Sequence, residues 1–237
     1  MSTPNPLTSP DPGLPSFQNT NIIHQIFLDI GKGPLSNFPL WIENTKVTRR
    51  LNPGYSYQLW DDRLTNLFID TYYPQYKNLI NDFPHKFYLI DFVRYLILDH
   101  YGGIYMDLDV RSKRPLPEKA TTILGSSYYK PEKVNNNVIM VPASYTQKLI
   151  HYAESEYNRI KSKNLYKNWP VRRFMHTVSA GMFERFCRKN SLTSETDFRE
   201  YFYDEEARSW IDKNNGITKV NYHHREVLGL PPSTSSI

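Results

Sequence analysis

The sequence predicts an α/β fold, a mainly parallel central sheet flanked by helices, on three observations. Short β-branched apolar runs alternate with longer helical patterns, Gly- or Pro-containing breaks separate them, and no period repeats. One acidic pair, Asp107 and Asp109, is carried by a short predicted strand that follows a Gly-Gly break.

The elements read as follows. Residues 1–20 carry Pro4, Pro6, Pro10, Pro12 and Pro15 among small polar residues and read as a flexible tail, leaving 21–237 as a single domain. Asn21 to Leu28 suits a buried first strand ending at a turn through Gly31. Pro39 to Arg50 reads as a helix stopped by Asn52-Pro53-Gly54, and Tyr55 to Trp60 as a strand. Asp61 or Asp62 caps a helix reaching Tyr72. From His85 to Asp99 the apolar residues lie nearly all round, which marks a buried helix. Tyr101-Gly102-Gly103 breaks it, and Ile104 to Leu108 forms a short strand. Further strands are expected at Thr121 to Gly125, Asn137 to Val141 and Val220 to His223. Helices are expected from Tyr145 to Ser162 and from Val171 to Lys189, the latter broken near Gly181.

Composition narrows the function. The net charge of +5 comes from 29 basic and 24 acidic residues without a long basic run, so nucleic-acid binding is not indicated. A single cysteine, Cys187, allows no internal disulfide. No stretch approaches the length of apolar chain that spans a membrane, and no signal peptide is visible; a soluble, cytoplasmic protein is expected. The 18 tyrosines make the chain rich in aromatic residues.

The chemistry centres on Gly102-Gly103-Ile104-Tyr105-Met106-Asp107-Leu108-Asp109. Carboxylates two apart on an extended strand point to opposite faces, unless the strand ends and the chain turns between them. Both can then approach one Mn2+ or Mg2+, which prefers such hard oxygen ligands alongside substrate phosphates. Asp91 and Arg94, three apart, share one face of the buried helix. Two charges there are costly unless they pair or serve a ligand, such as the oxygens of a diphosphate.

Asp91-Phe92-Val93-Arg94 through Tyr101-Gly102-Gly103-Ile104-Tyr105-Met106-Asp107-Leu108-Asp109 resembles the signature of glycosyltransferase family 32. These are the DXD-motif sugar transferases of the yeast initiating mannosyltransferase and capsular polysaccharide type, related to the clostridial glucosylating toxin core. Ile22-Ile23-His24-Gln25-Ile26-Phe27 and Asn52-Pro53-Gly54-Tyr55 through Leu59-Trp60-Asp61-Asp62 are similar to further family motifs.

The resemblance implies a GT-A (Rossmann-like, nucleotide-sugar-binding) fold and a retaining transferase. Such an enzyme moves a hexose from a UDP- or GDP-sugar donor to a glycan or other hydroxyl acceptor, with Mn2+ or Mg2+. It implies Asp109 as direct metal ligand and Asp107 as shared between metal shell and donor. Asp91 and Arg94 would bind donor sugar and diphosphate, and Tyr105 would lie beside the nucleotide. His24, Gln25 and Phe27 would line the nucleotide pocket, or, for His24 and Phe27, simply pack the strand. Within Asn135-Asn136-Asn137, Asn137 is the residue expected near the reacting centre. His223, with His224 next, would supply a further metal ligand, although the aromatic context usual in the family is missing. Two other readings stay open: a haloacid-dehalogenase-type phosphatase, whose motif Asp107-Leu108-Asp109-Val110 also fits, and a nucleotide-sugar-binding module without turnover.

Overall fold

The computed structural model describes residues 13–15, 21–84, 86–126, 133–163 and 177–204. Strand β1 (Ile22–Ile26) is buried at every position, as a strand inside a sheet covered on both faces must be. Helix α1 (Pro39–Leu51) starts with proline, whose missing N–H costs nothing in the first turn. Strand β2 (Ser56–Trp60) leads to α2 (Asp62–Tyr72), where the Asp61 carboxylate accepts from the Leu64 N–H at 2.7 Å. A short α3 (Lys77–Asn81) precedes α4 (Lys86–Tyr101), buried without interruption from Asp91 to Leu98. Then come β3 (Ile104–Met106), β4 (Val110–Ser112), β5 (Ile123–Ser126) and β6 (Val134–Met140). The long α5 (Ala143–Ser162), α6 (Ala180–Lys189), a single turn α7 (Phe198–Tyr201) and β7 (Phe202–Asp204) complete the described chain.

The main sheet has the order β2-β1-β3-β6-β5. Strand β1 pairs in parallel with both β2 and β3, whereas β6 runs antiparallel to β3 and β5, so β6 alone is reversed. The expected mainly parallel sheet is therefore present. Residues Tyr88, Phe92, Tyr95, Leu96, Phe183 and Phe186 from α4 and α6 belong to the large core on one face of the sheet. On the other face Ile23, Ile104, Met106 and Val138 meet Val110, Phe198 and Phe202, the last three supplied by the β4–β7 ribbon and α7.

Three expectations shift. The strand after the glycines stops at Met106 rather than Leu108, because the chain turns there. Helix α6 passes through Gly181, and the break lies at Ser179, its N-cap. Leu14, in the segment read as a flexible tail, is 7% exposed and joins the large core. The Val220–His223 strand lies outside the described residues.

Gly102 and Gly103, at φ of 67° and 79°, end α4 and turn the chain into β3. At that φ a side chain is strained, and a Cβ on Gly103 would come 2.5 Å from the Ile22 carbonyl oxygen. His24 locks the same junction. The indole N–H of Trp60 donates to its Nδ1 at 3.2 Å, which puts the proton on Nε2, and Nε2 donates to the Gly102 carbonyl at 3.2 Å. His24 is fully buried, so the sheet interior rather than an open pocket surrounds it.

Burial lowers the His24 pKa to about 3, the Gly102 carbonyl opposing that shift. The unfolded chain takes up this proton near the ordinary histidine value while the folded chain does not. Stability from this residue is therefore full at neutral pH and is lost as pH falls through the acidic range toward about 3. Chemical unfolding at pH 7 and pH 5 should show a steeper loss in the wild type than in His24→Asn, by up to about 1.4 kcal/mol per pH unit. Identical slopes would show that His24 titrates alike in both states.

Candidate active site

The strand end at Met106 determines where the acidic pair sits. Asp107 to Val110 form a turn closed by the Val110 N–H donating to the Asp107 carbonyl at 3.1 Å. Asp107 and Asp109 thus flank a bend instead of pointing to opposite faces of a strand, and both are half-buried. The turn is held from several directions. The Asp107 N–H donates to the Asn137 carbonyl at 2.8 Å, extending the β3–β6 pairing by one bond. The Gln25 amide donates to the Asp107 carbonyl at 3.3 Å, and the Asn44 amide to the Leu108 carbonyl at 3.3 Å. Gln25 is itself fixed: its Oε1 accepts from Thr45 Oγ1 at 2.7 Å and from the Tyr57 hydroxyl at 2.9 Å.

Beneath the turn lies the buried charge network. Arg94 Nη2 is 2.7 Å from Asp91 Oδ1, and Arg94 Nη1 is 3.3 Å from Asp107 Oδ1. The same guanidinium donates to the carbonyls of Asn136 at 2.6 Å and Ile90 at 3.3 Å, and stacks over the Tyr105 ring at 4.4 Å. Tyr105 adds its hydroxyl to Asp107 Oδ1 at 2.5 Å, and the Asn136 amide donates to Asp91 Oδ1 at 3.0 Å. Burial alone would lower the Arg94 pKa, but the surrounding Tyr105, Asp107 and Asp91 outweigh it and hold the guanidinium above its ordinary value. Burial pushes the Tyr105 phenol far up, its bond to Asp107 adding to the effect against the pull of Arg94. Tyr105 therefore stays a neutral donor to Asp107.

The residues singled out in the sequence distribute unevenly. Asp91, Arg94, Tyr105 and Asp107 form one connected cluster, and Gln25 grips its backbone. The Arg94 side chain, expected to face a diphosphate, is 5% exposed and engaged with its protein partners. His24 stands apart in the sheet. Phe27 continues past β1 into an aromatic trio, edge-on to Phe38 at 5.8 Å and to Trp41 at 6.4 Å, which stack on each other at 4.3 Å. Asn137 contributes its carbonyl to the turn, while its side chain crowds Gly125. His223 and His224 lie outside the described residues. Among the described residues no three His, Cys, Asp or Glu side chains form a group able to hold a metal by themselves.

Asn136, not Asn137, is the asparagine that joins the Asp91–Arg94 pair. Strict alternation along β6 would put Asn137 on the same face as Ile139. The register against β5 instead jumps from Leu124↔Ile139 to Gly125↔Asn135, and this bulge redirects Asn136 toward α4. Asn44, Thr45 and Tyr57 were also missed. Their signal was present in α1, whose two buried residues, Asn44 and Thr48, are both polar and therefore face partners to be bonded rather than a greasy core.

With this geometry the comparisons become specific. Residues 39–130 match the family described as glycosyltransferase sugar-binding region containing DXD motif. Over this stretch the chain is similar to the DXD-motif glycosyltransferases. It is 34% identical over 113 residues to inositol phosphoceramide mannosyltransferase 1 of Schizosaccharomyces pombe, covering 45% of this chain and 34% of that one. It is 32% identical over 99 residues to a mannosyl phosphorylinositol ceramide synthase of Saccharomyces cerevisiae, covering 42% and 26%. An uncharacterized glycosyltransferase of Acanthamoeba polyphaga mimivirus is 30% identical over 120 residues, covering 50% and 47%. The chain thus spans less than half the length of these relatives. In structure it resembles the PaToxG glycosyltransferase, with a TM-score of 0.51 at 16% identity over 91% of this chain and 81% of that one. The likeness bears out the expected GT-A architecture as the fold of the chain, and no helix among the described residues is long and apolar enough to cross a membrane.

Removing Arg94 would leave the Asp91 carboxylate buried with only the Asn136 amide beside it. Arg94→Ala should cost about 3–5 kcal/mol in chemical denaturation, the range for breaking one half of a buried pair. A cost near zero would show that the pair is solvated and does not hold the turn.

Proposed function

We propose that the protein transfers a hexose from a nucleoside-diphosphate sugar to a hydroxyl acceptor, with a divalent cation at Asp107 and Asp109 and retention of anomeric configuration. The carrying observation is the turn at Asp107–Val110 with its buried Arg94 support. Arg94 is shared between Asp91 and Asp107, and Asp109 follows in the same turn, so the segment carries more carboxylates than one guanidinium neutralises, which suits a hard divalent cation. Two carboxylates plus the phosphates of a bound substrate are an ordinary ligand set for Mg2+ or Mn2+, so the donor set fits without a third protein ligand. When bound, such a cation supplies Lewis-acid stabilisation of the charge that builds on a departing diphosphate.

The protein's own residues do the placing. Arg94 and Tyr105 fix Asp107 Oδ1, so that carboxylate is pre-oriented before any substrate arrives. Gln25 and Asn44 fix the backbone on either side of the bend. Arg94 thereby acts as a positioning residue more than as a direct diphosphate ligand. Asp91, bound to Arg94 and Asn136, is itself buried and holds the guanidinium in place. Phe27, Phe38 and Trp41 offer aromatic surface for a nucleobase beyond the end of β1.

The relatives' names make mannose the first sugar to test and GDP-mannose the first donor, with UDP-glucose as the comparison. Release of free sugar from the donor should require Mn2+ or Mg2+, and Asp109→Asn should reduce it by about a hundredfold or more. A normal melting temperature for Asp109→Asn would confirm that the turn survives. Full donor turnover by Asp109→Asn, or turnover that persists in a chelator, would refute the assignment.

A further inference from the structure

The last turns of α1 and the start of β2 border an open cleft of about 570 Å³. Lys46, Arg49 and Arg50 line it from the helix, and Tyr55, Ser56 and Tyr57 from the strand side. Lys46 lies three and four residues before Arg49 and Arg50, so the three cations share one helical face, and all three are exposed. Among the described residues none of them forms an ion pair, whereas Lys77, Lys86, Arg159 and Arg185 elsewhere on the surface do.

The cleft is also shaped. The Arg49 guanidinium lies over the Tyr57 ring at 5.0 Å, a stack that uses its face and leaves its N–H edge to one side. Tyr57 is anchored by its hydroxyl bond to Gln25. Behind them Asn52, 4% exposed, donates to the Thr48 carbonyl at 2.8 Å and to Ser112 Oγ at 3.2 Å, and accepts from the Leu116 N–H at 2.7 Å. Cations in the last turn of a helix complement its dipole, which accounts for Arg49 and Arg50 alone. It accounts neither for Lys46 a turn earlier nor for the recess they share.

We propose that this cleft binds the phosphate group of a phosphomonoester or phosphodiester, at a place separate from the acidic turn. Arginine edges and a lysine ammonium converging without a carboxylate among them match a phosphate's charge and oxygen geometry. Glu118 stands near Tyr55, whose phenol is raised by burial first and by that carboxylate second. That end repels an anion, so the phosphate sits toward Arg49 and Arg50. The volume leaves room for a polar group attached to the phosphate.

The test uses the whole chain in a chelator, so that no divalent cation brings the acidic turn into play and the transfer reading is not at stake. Binding of inorganic phosphate and of glycerol 3-phosphate is followed by calorimetry. Sedimentation with phosphatidylcholine vesicles, with and without phosphatidylinositol, is the second arm. Saturable binding should appear, weaken with salt, and fall about tenfold or more in Arg49→Gln/Arg50→Gln. Lys46→Gln, outside the last helical turn, should weaken it as well, with unchanged melting temperatures. Lys148→Gln/Lys189→Gln, on other helices, should leave it unchanged. Binding of the soluble probes alone identifies a free phosphate ligand, and binding of the phosphatidylinositol vesicles identifies a lipid headgroup. Absence of saturable binding in both arms, or equal weakening by the Lys148/Lys189 pair, overturns the proposal.

Discussion

The Arg94 guanidinium is buried among Asp91, Asp107, Tyr105 and two backbone carbonyls, and much else in the molecule follows from that placement. A buried cation is tolerated only when its charge and its N–H groups are met, and here α4 and β6 each accept a hydrogen bond while β3 offers the Tyr105 ring. The three elements are therefore held in one relative position by a polar constraint that hydrophobic packing alone would leave adjustable. The reach of that constraint is the Asp107 carboxylate, 30% exposed, where the buried network meets the surface. A single helix turn of spacing, Asp91 to Arg94, thus links the packing of the core to the orientation of a carboxylate that reaches the surface.

The same economy appears in the backbone. Gly102 and Gly103 let α4 end and β3 begin within two residues, which brings Arg94 and Asp107 together despite the helix and strand running in different directions. The close approach of Gly103 to Ile22 leaves no room for a side chain, and His24 ties the Gly102 carbonyl to Trp60 of β2. His24 and Gln25 adjoin in sequence but point to different tasks. One braces the helix-to-strand bend, and the other grips the turn at the far end of β3.

Much of this was legible from the residues. Every element carrying the cluster was expected within a few positions, because α4 is apolar nearly all round and β1 opens and closes on β-branched isoleucines. The Asp91–Arg94 pairing followed from helical spacing, and the bend between Asp107 and Asp109 from the need to bring both carboxylates to one side. What escaped were features set by register rather than by local pattern. The bulge opposite Gly125 decides between Asn136 and Asn137, and no periodicity in β6 announces it. The polar inner face of α1 becomes meaningful only once the Asp107–Val110 turn is packed against it. Leu14 likewise joins the core from a proline-rich stretch that composition alone assigns to solvent.

The account turns on whether the bend beyond the double glycine is a cation site braced by Arg94. The most direct measurement is anomalous scattering from crystals grown with Mn2+ and GDP, recorded at the manganese edge. The account predicts a peak between the Asp107 and Asp109 carboxylates, in contact with the diphosphate, with Arg94 still joined to Asp91 and Asp107. Manganese bound elsewhere with the bend vacant, or an Arg94 side chain swung away from Asp107 in the complex, would contradict it.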